Sequence, residues 1–415
     1  FTKWLQDVRD AQALDGRFPD FAPHPFGPNE RFSGVPAWGD AGVFVPWHAY
    51  ENYGDVRMLG EQYEAAKRWL AYIRGMNPDL IWRNGRHNDY GDWLNGDTLI
   101  LEDWPKTGGE VPKEVMATAF FARSTQFVSR MAEVLGNDTE AQEYRKLADD
   151  IRAAFQREFI DAEGRITGDT QAGYALALHF GLVPEELHDA AVAHMVEAVR
   201  RYDGRISTGI QSTIRLMMQL TCNGHVDLAY KLALNREIPS WGYAIGQGAT
   251  TIWERWDGYV EGRGFQNPGM NSFNHWALGA VGEWLFRVVG GINPAYPGEP
   301  ECLPAYKRFV IHPRPGGGLT WATTEFRSIR GPIRTAWRIE NDTLTLEVSI
   351  PANTTAIVYL PTKDPAGVTE SGQPVANIKT ITPLRDEDGC VVYEVRSGEY
   401  VFEADFGNFG DTILN

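Results

Sequence analysis

Cysteine is scarce in this chain of 415 residues: Cys222, Cys302 and Cys390 are the whole set, and they lie far apart. Such a set indicates neither a disulfide framework nor a Cys/His zinc site. Long apolar runs are also lacking, since no stretch approaches the roughly 18–20 apolar residues of a membrane span. Positive charge is in deficit, with 39 Lys and Arg against 55 Asp and Glu and a formal net charge of −16. We therefore predict neither nucleic acid nor a membrane as a partner.

Short motifs of several enzyme classes are missing as well. The sequence contains no phosphate-binding loop of the GxxxxGKS or GxxxxGKT type, no GxSxG nucleophile elbow and no HExxH zinc pair. Its 9 histidines are scattered along the chain. We therefore predict no metal and no cofactor.

Aromatic side chains, by contrast, are abundant. The chain has 14 Trp, 16 Tyr and 20 Phe, together 12% of its residues. Large aromatic residues often serve only to pack a core. Flat aromatic rings also line carbohydrate sites, where they contact sugar CH groups. Composition leaves both interpretations open.

Helical periodicity dominates up to about residue 290. The chain opens with helical spacing, and apolar side chains recur at i, i+3 and i+4 over 58–73, 144–159 and 187–199. A last helix is predicted over 272–289, with Asn271 or Ser272 as its N-cap. Many amphipathic helices joined by long loops with Gly, Trp and acids favour an (α/α) barrel.

The pattern changes after Pro294, where a proline-rich stretch resembles a linker. Beyond it, apolar residues alternate with polar ones, most clearly over 343–350, and this period of two predicts β-strands. Ser397-Gly398 lies between two alternating runs and predicts a hairpin turn. Regular short strands of this kind favour an antiparallel sandwich.

Carboxylates beside aromatic residues are the remaining candidates for chemistry. Glycoside hydrolysis needs two carboxyl groups across the scissile bond and walls that hold the sugar ring. For each acid taken singly, a helix cap or a solvated surface position is the simpler interpretation. The candidate acids are Asp40, Asp89, Asp92, Asp103, Glu254, Asp257 and Glu261.

Five segments that occur in the same order resemble segments of bacterial α-L-rhamnosidases of glycoside hydrolase family 78. They are residues 16–23, 36–41, 90–94, 248–256 and 270–277. The resemblance spans nearly the whole chain. It implies an (α/α)6 barrel over 1–292, followed by an antiparallel β-sandwich over 299–408. It also implies that terminal α-L-rhamnose is removed from rhamnose-containing glycosides or oligosaccharides with inversion.

The resemblance also implies roles for single residues. Glu254 would be the general base that activates the attacking water, and the simpler alternative is a loop salt bridge with Arg255 or Arg263. The alternatives for the other positions are core packing for the tryptophans, helix capping or core packing for the histidine, and loop fixing for the aspartates. The substrate-binding residues implied in this way are Trp38, Asp40, Asp92, Trp93, Trp253 and His275.

One departure from the family pattern concerns the general acid. In the family, the acid lies in a segment upstream of the part that matches Phe1. We therefore expect a barrel that lacks its first helix, a chain that is weakly active or inactive alone, and self-association through an exposed seam. Two alternatives stay open: a non-catalytic sugar-binding protein, and another (α/α)-barrel glycosidase with Asp40 or Asp92 as acid. Few cysteines slightly favour the cytoplasm, and secretion stays open.

Overall fold

The computed structural model describes residues 1–27, 31–101, 107–294, 302–387 and 389–407. Contacts divide the chain into two compact units. The first contains Phe1–Ala49, Asp55–Asn223 and Leu232–Gly279, and the second contains Tyr50–Gly54, Gly224–Lys231 and Ala280–Asn415. Much of the predicted proline-rich linker and residue 408, the predicted end of the second domain, lie outside the described residues.

Eleven α-helices occur in the described part of the chain. They are α1 (Thr2–Asp10), α2 (Ala41–Tyr53), α3 (Val56–Met76), α4 (Lys113–Val134), α5 (Asp138–Phe159), α6 (Gln171–His179), α7 (His188–Arg201), α8 (Thr213–Cys222), α9 (Val226–Leu234), α10 (Trp241–Gly246) and α11 (Val281–Trp284).

Helices buried all round alternate with amphipathic helices in the first unit. Most side chains of α4 and α6 are buried, whereas α5 and α7 bury one face. A helix that is apolar all round needs neighbours on every side, and an amphipathic helix needs a core on one side only. The amphipathic helices α5 and α7 pack against α4 and α6, and α6 also contacts α4 and α8. This alternation is the arrangement of the two helix layers of an (α/α) barrel.

The three periodic segments lie in helices, as predicted: 58–73 in α3, 144–159 in α5, and 187–199 in α7 apart from Leu187, which ends the 3-10 turn before it. Helix α3 begins at the cap Asp55, whose carboxylate accepts a hydrogen bond from the Met58 amide. No described helix is long and apolar enough to cross a bilayer.

The predicted helix over 272–289 is wrong in its first part. Regular turns begin only with a 3-10 helix at Ala277–Ala280, and α11 and a π-helical turn at Leu285–Val289 follow. Ser272 and His275 instead pair with another backbone segment, since Glu254 N donates to Ser272 O and His275 N donates to Ile252 O, both at 2.9 Å. Asn271 and Ser272 therefore do not cap a helix.

Strands of two residues form a separate hairpin, β1 (Tyr259–Val260) and β2 (Gly264–Phe265). The second unit contains a sheet with nine strands among the described residues. These are β3 (Ile292–Asn293), β4 (Arg308–Ile311), β5 (Trp321–Ser328), β6 (Gly331–Glu340), β7 (Thr343–Leu360), β8 (Thr369–Glu370), β9 (Gln373–Pro374), β10 (Ile381–Glu387) and β11 (Cys390–Asp405).

The sheet is antiparallel apart from one described pair, since β4 runs parallel to β7. The prediction of a purely antiparallel domain is therefore wrong at this pair. The helical part followed by a β-sheet domain agrees with the predicted fold class.

The hairpin predicted at Ser397-Gly398 is wrong, because β11 runs through this position as one strand. Its pairing with β7 shifts register between Arg396 and Gly398. Gly398 has a φ of 152°, which a residue without a Cβ adopts without strain. A β-bulge absorbs the extra residue here and bends the strand rather than reversing it.

Candidate active site

Three aromatic rings form what we call the aromatic wall: Trp38, Tyr90 and Trp93. Trp38 lies on the turn before α2, and the other two lie on the loop between α3 and α4. Tyr90 is in edge contact with both indoles, with ring centroids 4.8 Å from Trp38 and 5.9 Å from Trp93. Both tryptophans are half-buried, so part of each ring is accessible to a ligand. The structure thus brings together two of the residues predicted to hold the sugar.

Backbone strain accompanies both tryptophans. Ala37 precedes Trp38 with a φ of 69°, and Leu94 follows Trp93 with a φ of 59°. Residues with a Cβ rarely occupy this left-handed region, and they stay there only when the surrounding structure holds them. The two loops are therefore fixed by contacts elsewhere.

Asp40 supplies those contacts for the first loop. Its carboxylate is completely buried and accepts hydrogen bonds from Ser124 Oγ at 2.6 Å, Trp69 Nε1 at 2.9 Å and Ala37 N at 2.8 Å. Burial raises the pKa of Asp40, and these three donors oppose the rise. The bond to Ala37 holds the strained residue beside Trp38.

Asp92 does the same for the second loop. It is also completely buried, and its oxygens accept from the amides of Gly209 at 2.7 Å, Gln211 at 3.0 Å and Ser212 at 3.1 Å. Burial raises the pKa of Asp92, whereas the backbone donors just before α8 lower it. As with Asp40, protein donors occupy both oxygens, so the geometry favours loop fixing over sugar contact.

Asp20 adjoins the aromatic wall, although the sequence did not predict it among the site residues. Tyr90 Oη donates to its Oδ2 at 3.0 Å, and the residue is 7% exposed. Burial raises the pKa of Asp20 to about 6, while the bond from Tyr90 acts in the opposite direction. Asp20 lies in the first of the five resembling segments, and this position was the signal in the sequence that could have indicated it. Its partner lies 70 residues away, so the sequence alone did not reveal the bond.

Glu254 lies on the loop between α10 and β1 and is half-buried. Its amide donates to Ser272 O at 2.9 Å, and the Ser272 amide donates back to Glu254 Oε2 at 3.0 Å. This reciprocal pair fixes both the backbone and the carboxylate. Within the described part of the chain, no hydrogen bond engages Oε1.

The loop salt bridge considered as the alternative for Glu254 is made by its neighbour Asp257. Arg255 Nε lies 3.1 Å from Asp257 Oδ1, and an Arg263 nitrogen lies 3.5 Å from Oδ2. Gln266 Nε2 also donates to Oδ2, at 2.7 Å. Asp257 is completely buried, and it fixes the loop that follows Glu254.

The same loop is bonded to the loop that carries Trp93. The Ile100 amide donates to Asp257 Oδ2 at 3.2 Å, and Arg255 donates to Thr98 O at 3.2 Å. The aromatic wall and Glu254 therefore lie on loops that are joined by hydrogen bonds. That these groups converge on one sugar stays a prediction.

His275 lies at the other end of the backbone pairing that holds Glu254. Its Nδ1 accepts from the Ala277 amide at 3.3 Å, which assigns the proton of a neutral ring to Nε2. Nε2 is therefore a donor that a sugar hydroxyl could use. His275 lies before the 3-10 helix and not, as predicted, at the start of a long helix.

Trp253 is largely enclosed. It is 8% exposed, packs edge-on against Phe273 with centroids 5.2 Å apart, and borders a cavity of about 250 Å³ together with Trp241 and Trp256. Little of its ring is left for a sugar, so core packing is the better supported role.

The other candidate acids are used differently. Asp89 pairs with Arg86 at 3.1 Å, and Glu261 is exposed on the β1–β2 turn. Asp103 lies outside the described residues. Among the residues that the structure describes, no group of three or more His, Cys, Asp or Glu side chains could hold a metal ion.

Comparison with models of known protein families identifies the family of this chain. Residues 1–289 match the model of the bacterial alpha-L-rhamnosidase 6 hairpin glycosidase domain, and residues 291–374 match that of the bacterial alpha-L-rhamnosidase C-terminal domain. The chain belongs to the bacterial α-L-rhamnosidase family. The resemblance inferred from the five segments is thereby confirmed.

Individual members of the family agree in sequence and fold. An α-L-rhamnosidase of Formosa agariphila is 34% identical over 98% of this chain and 42% of its own length. The structure of the Streptomyces avermitilis α-L-rhamnosidase complexed with L-rhamnose is 42% identical, with a TM-score of 0.87 over 97% of this chain and 36% of that one. The native Aspergillus terreus enzyme is 31% identical, with a TM-score of 0.82 over 97% of this chain and 43% of that one.

These matches confirm the fold class, an (α/α)6 barrel followed by a β domain. The chain spans roughly two fifths of the length of these family members. Their activity as whole enzymes therefore enters only as a proposal for this chain.

Proposed function

We propose that the chain acts in removing terminal α-L-rhamnose from rhamnosides by inverting hydrolysis, with Glu254 as the general base. The observation that carries the proposal is the carboxylate of Glu254, held through Oε2 by the Ser272 amide with Oε1 left to accept a proton. A general base must be fixed within hydrogen-bond reach of the water that it activates. The family match supports rhamnosides as the substrate class.

Trp38 and Trp93 would hold the sugar in this proposal. Their half-buried indoles offer apolar area to the methyl group and the CH face of rhamnose. His275 Nε2 would donate to a hydroxyl. Asp40 and Asp92 would act indirectly, by holding the two tryptophan loops in their strained conformations.

Inversion also requires a general acid, with the two carboxyl groups about 6.5–9.5 Å apart to leave room for water. Asp40 and Asp92 are completely buried and bonded by protein donors, so neither can reach a glycosidic oxygen. We therefore propose that the proton for the leaving group comes from another residue. This argues against the alternative glycosidase with one of these aspartates as acid.

The test is the hydrolysis of a nitrophenyl α-L-rhamnoside by the chain and by Glu254→Gln. An amide cannot take a proton from water, so we expect the rate to fall by about 10²- to 10⁴-fold, the usual contribution of general acid–base catalysis. NMR of the first product should show the β anomer of L-rhamnose. Glu261→Gln, which changes an exposed acid on the next turn, is the matched control and should keep the rate.

Three outcomes would contradict the proposal. An unchanged rate in Glu254→Gln would show that Glu254 is not the general base. An α anomer as the first product would show that hydrolysis does not invert the configuration. A nitrophenolate leaving group needs little protonation, so the general acid matters least for this substrate. Binding of L-rhamnose without any hydrolysis of the activated substrate would therefore favour the sugar-binding alternative.

A further inference from the structure

The hydroxyl of Tyr90 has a defined hydrogen-bond direction, because two side chains bind it. Asn88 Nδ2 lies 3.4 Å from Tyr90 Oη and can only donate to it. The hydroxyl hydrogen is therefore left for Asp20 Oδ2, 3.0 Å away. Asp20 thus determines where the outer end of the Tyr90 ring lies.

The Tyr90 ring, in turn, contacts both indoles of the aromatic wall. It meets Trp38 at an interplanar angle of 62° and Trp93 at 66°. Edge-to-face contacts of this kind depend on ring orientation. A rotation or shift of Tyr90 therefore changes the position of both rings that would contact the sugar.

Asp20 is itself held rigidly from its own segment. Its amide donates to Phe32 O at 2.9 Å, and Pro19 forms an antiparallel bridge with Ser33. The Val35 amide faces the carboxylate, but within the described part of the chain no bond to the buried Oδ1 has regular hydrogen-bond geometry. The bond to Tyr90 is thus the carboxylate's principal side-chain contact, and its strength depends on the charge of Asp20.

Burial is the main reason why the pKa of Asp20 is raised, to about 6. The groups that face the carboxylate and favour its ionised form are the Tyr90 hydroxyl, the Val35 amide and the His24 ring. An ionised carboxylate accepts a shorter and stronger hydrogen bond than a neutral acid does. Protonation near pH 6 would therefore loosen the hold on Tyr90.

We propose that Asp20 is a positioning residue for sugar binding: acting through Tyr90, its carboxylate sets the spacing of Trp38 and Trp93 and couples rhamnose affinity to its own charge. The inference rests on the proposed function, because it needs the aromatic wall to hold rhamnose. Asp20 itself does not touch the sugar.

The test is L-rhamnose binding, followed by tryptophan fluorescence and calorimetry from pH 5 to 8. The affinity of the unchanged chain should fall about 5- to 10-fold as the pH drops through 6, the ratio expected between a charge-assisted and a neutral hydrogen bond. Asp20→Asn and Tyr90→Phe should bind rhamnose with the lower affinity at every pH and should not show this change near pH 6, which we call the pH step. Asp20→Ala, which offers no acceptor at all, should bind more weakly than Asp20→Asn.

Two controls assign the step to Asp20. His24→Gln should keep it, although it removes the other titratable ring near the carboxylate. Asp10→Asn changes an exposed acid on α1 and should also keep it. Thermal unfolding of each variant identifies any that lose affinity through misfolding.

A pH step that survives in Asp20→Asn would overturn the inference, and so would one that disappears only in His24→Gln. The proposed function fails separately, if Trp38→Ala binds rhamnose as well as the unchanged chain or if Glu254→Gln keeps its hydrolysis rate. A chain that binds no rhamnose at any of these pH values would refute both.

Discussion

Asp40 and Asp92 are buried carboxylates that hold the two tryptophan loops of the proposed sugar site. Each accepts three hydrogen bonds from the protein and holds a loop whose tryptophan neighbours a residue of positive φ. Their sequence positions beside Trp38 and Trp93 predicted a sugar site, and that site stays a prediction. Their role depends on partners such as Ser124 and Gly209, which are distant in sequence, and therefore could not be predicted.

Asp20 gives a prediction for stability. Its pKa is raised from 3.8 to about 6 in the folded chain, so the folded state binds more protons than the unfolded state between these values. Stability from this group therefore falls as the pH rises from about 4 to 6 and stays at the lower level above that. The asparagine in Asp20→Asn does not titrate. The melting temperature of this variant should therefore rise relative to that of the unchanged chain as the pH rises from about 4 to 6.

Calorimetry from pH 4 to 7.5 measures this difference. Asp10→Asn supplies the baseline for removing an exposed acid on the same unit. A difference between Asp20→Asn and the unchanged chain that stays constant with pH, or shrinks as the pH rises, would contradict the assignment.

At the scale of elements, the close approach of two loops gives the next prediction. A Cβ added at Gly209 would lie 2.3 Å from both Asp92 O and Trp93 O. These are backbone atoms, so the loop would have to move. We expect Gly209→Ala to lower the unfolding free energy by about 1–3 kcal/mol, as overpacking commonly does, and to weaken rhamnose binding.

Urea unfolding and rhamnose titration measure these two effects. Gly75→Ala is the control, because its added Cβ meets nothing within 4 Å in α3 and alanine favours a helix. If Gly209→Ala kept both stability and affinity, the contact between the two loops would not hold the aromatic wall.

Which elements could be predicted depended on where their backbone hydrogen bonds go. Helices α3, α5 and α7 make their own bonds and bury one face, so periodicity alone located them. Residues 272–275 have helical spacing, but their backbone pairs with 252–254 and Phe273 packs on Trp253. Gly398 likewise follows a turn-like pattern, yet it lies opposite β7 as a bulge. Tertiary partners overrode the local signal in both cases.

At the scale of the molecule, exposed apolar side chains predict self-association. In the first unit, Trp276 is 81% exposed and Ile245 is 68% exposed. Exposed apolar surface favours association in water. We expect light scattering to show an apparent mass that rises with protein concentration. At the same concentration, Trp276→Ser and Ile245→Ser should each have a lower apparent mass than the unchanged chain.

Leu14→Ser is the matched control, since Leu14 is 93% exposed but lies on the turn after α1. An equal decrease in that variant would point to general surface hydrophobicity. A constant monomer mass at every concentration would refute the prediction.

The backbone pairing between 252–254 and 272–275 has a consequence for how members of this family can diversify. Residues 255–271 form a loop whose two ends are held together by this pairing, and the buried Asp257 lies near the start of the loop. Loops anchored in this way tolerate changes in length and sequence at their tips. The tip of the β1–β2 hairpin could therefore be exchanged for that of another family member while Glu254 and His275 keep their places, provided that Arg263 and Gln266 are retained as partners of Asp257. The exposed turn around Glu261 is thus the part of this loop that can change the surroundings of the proposed site without removing the partners of Asp257.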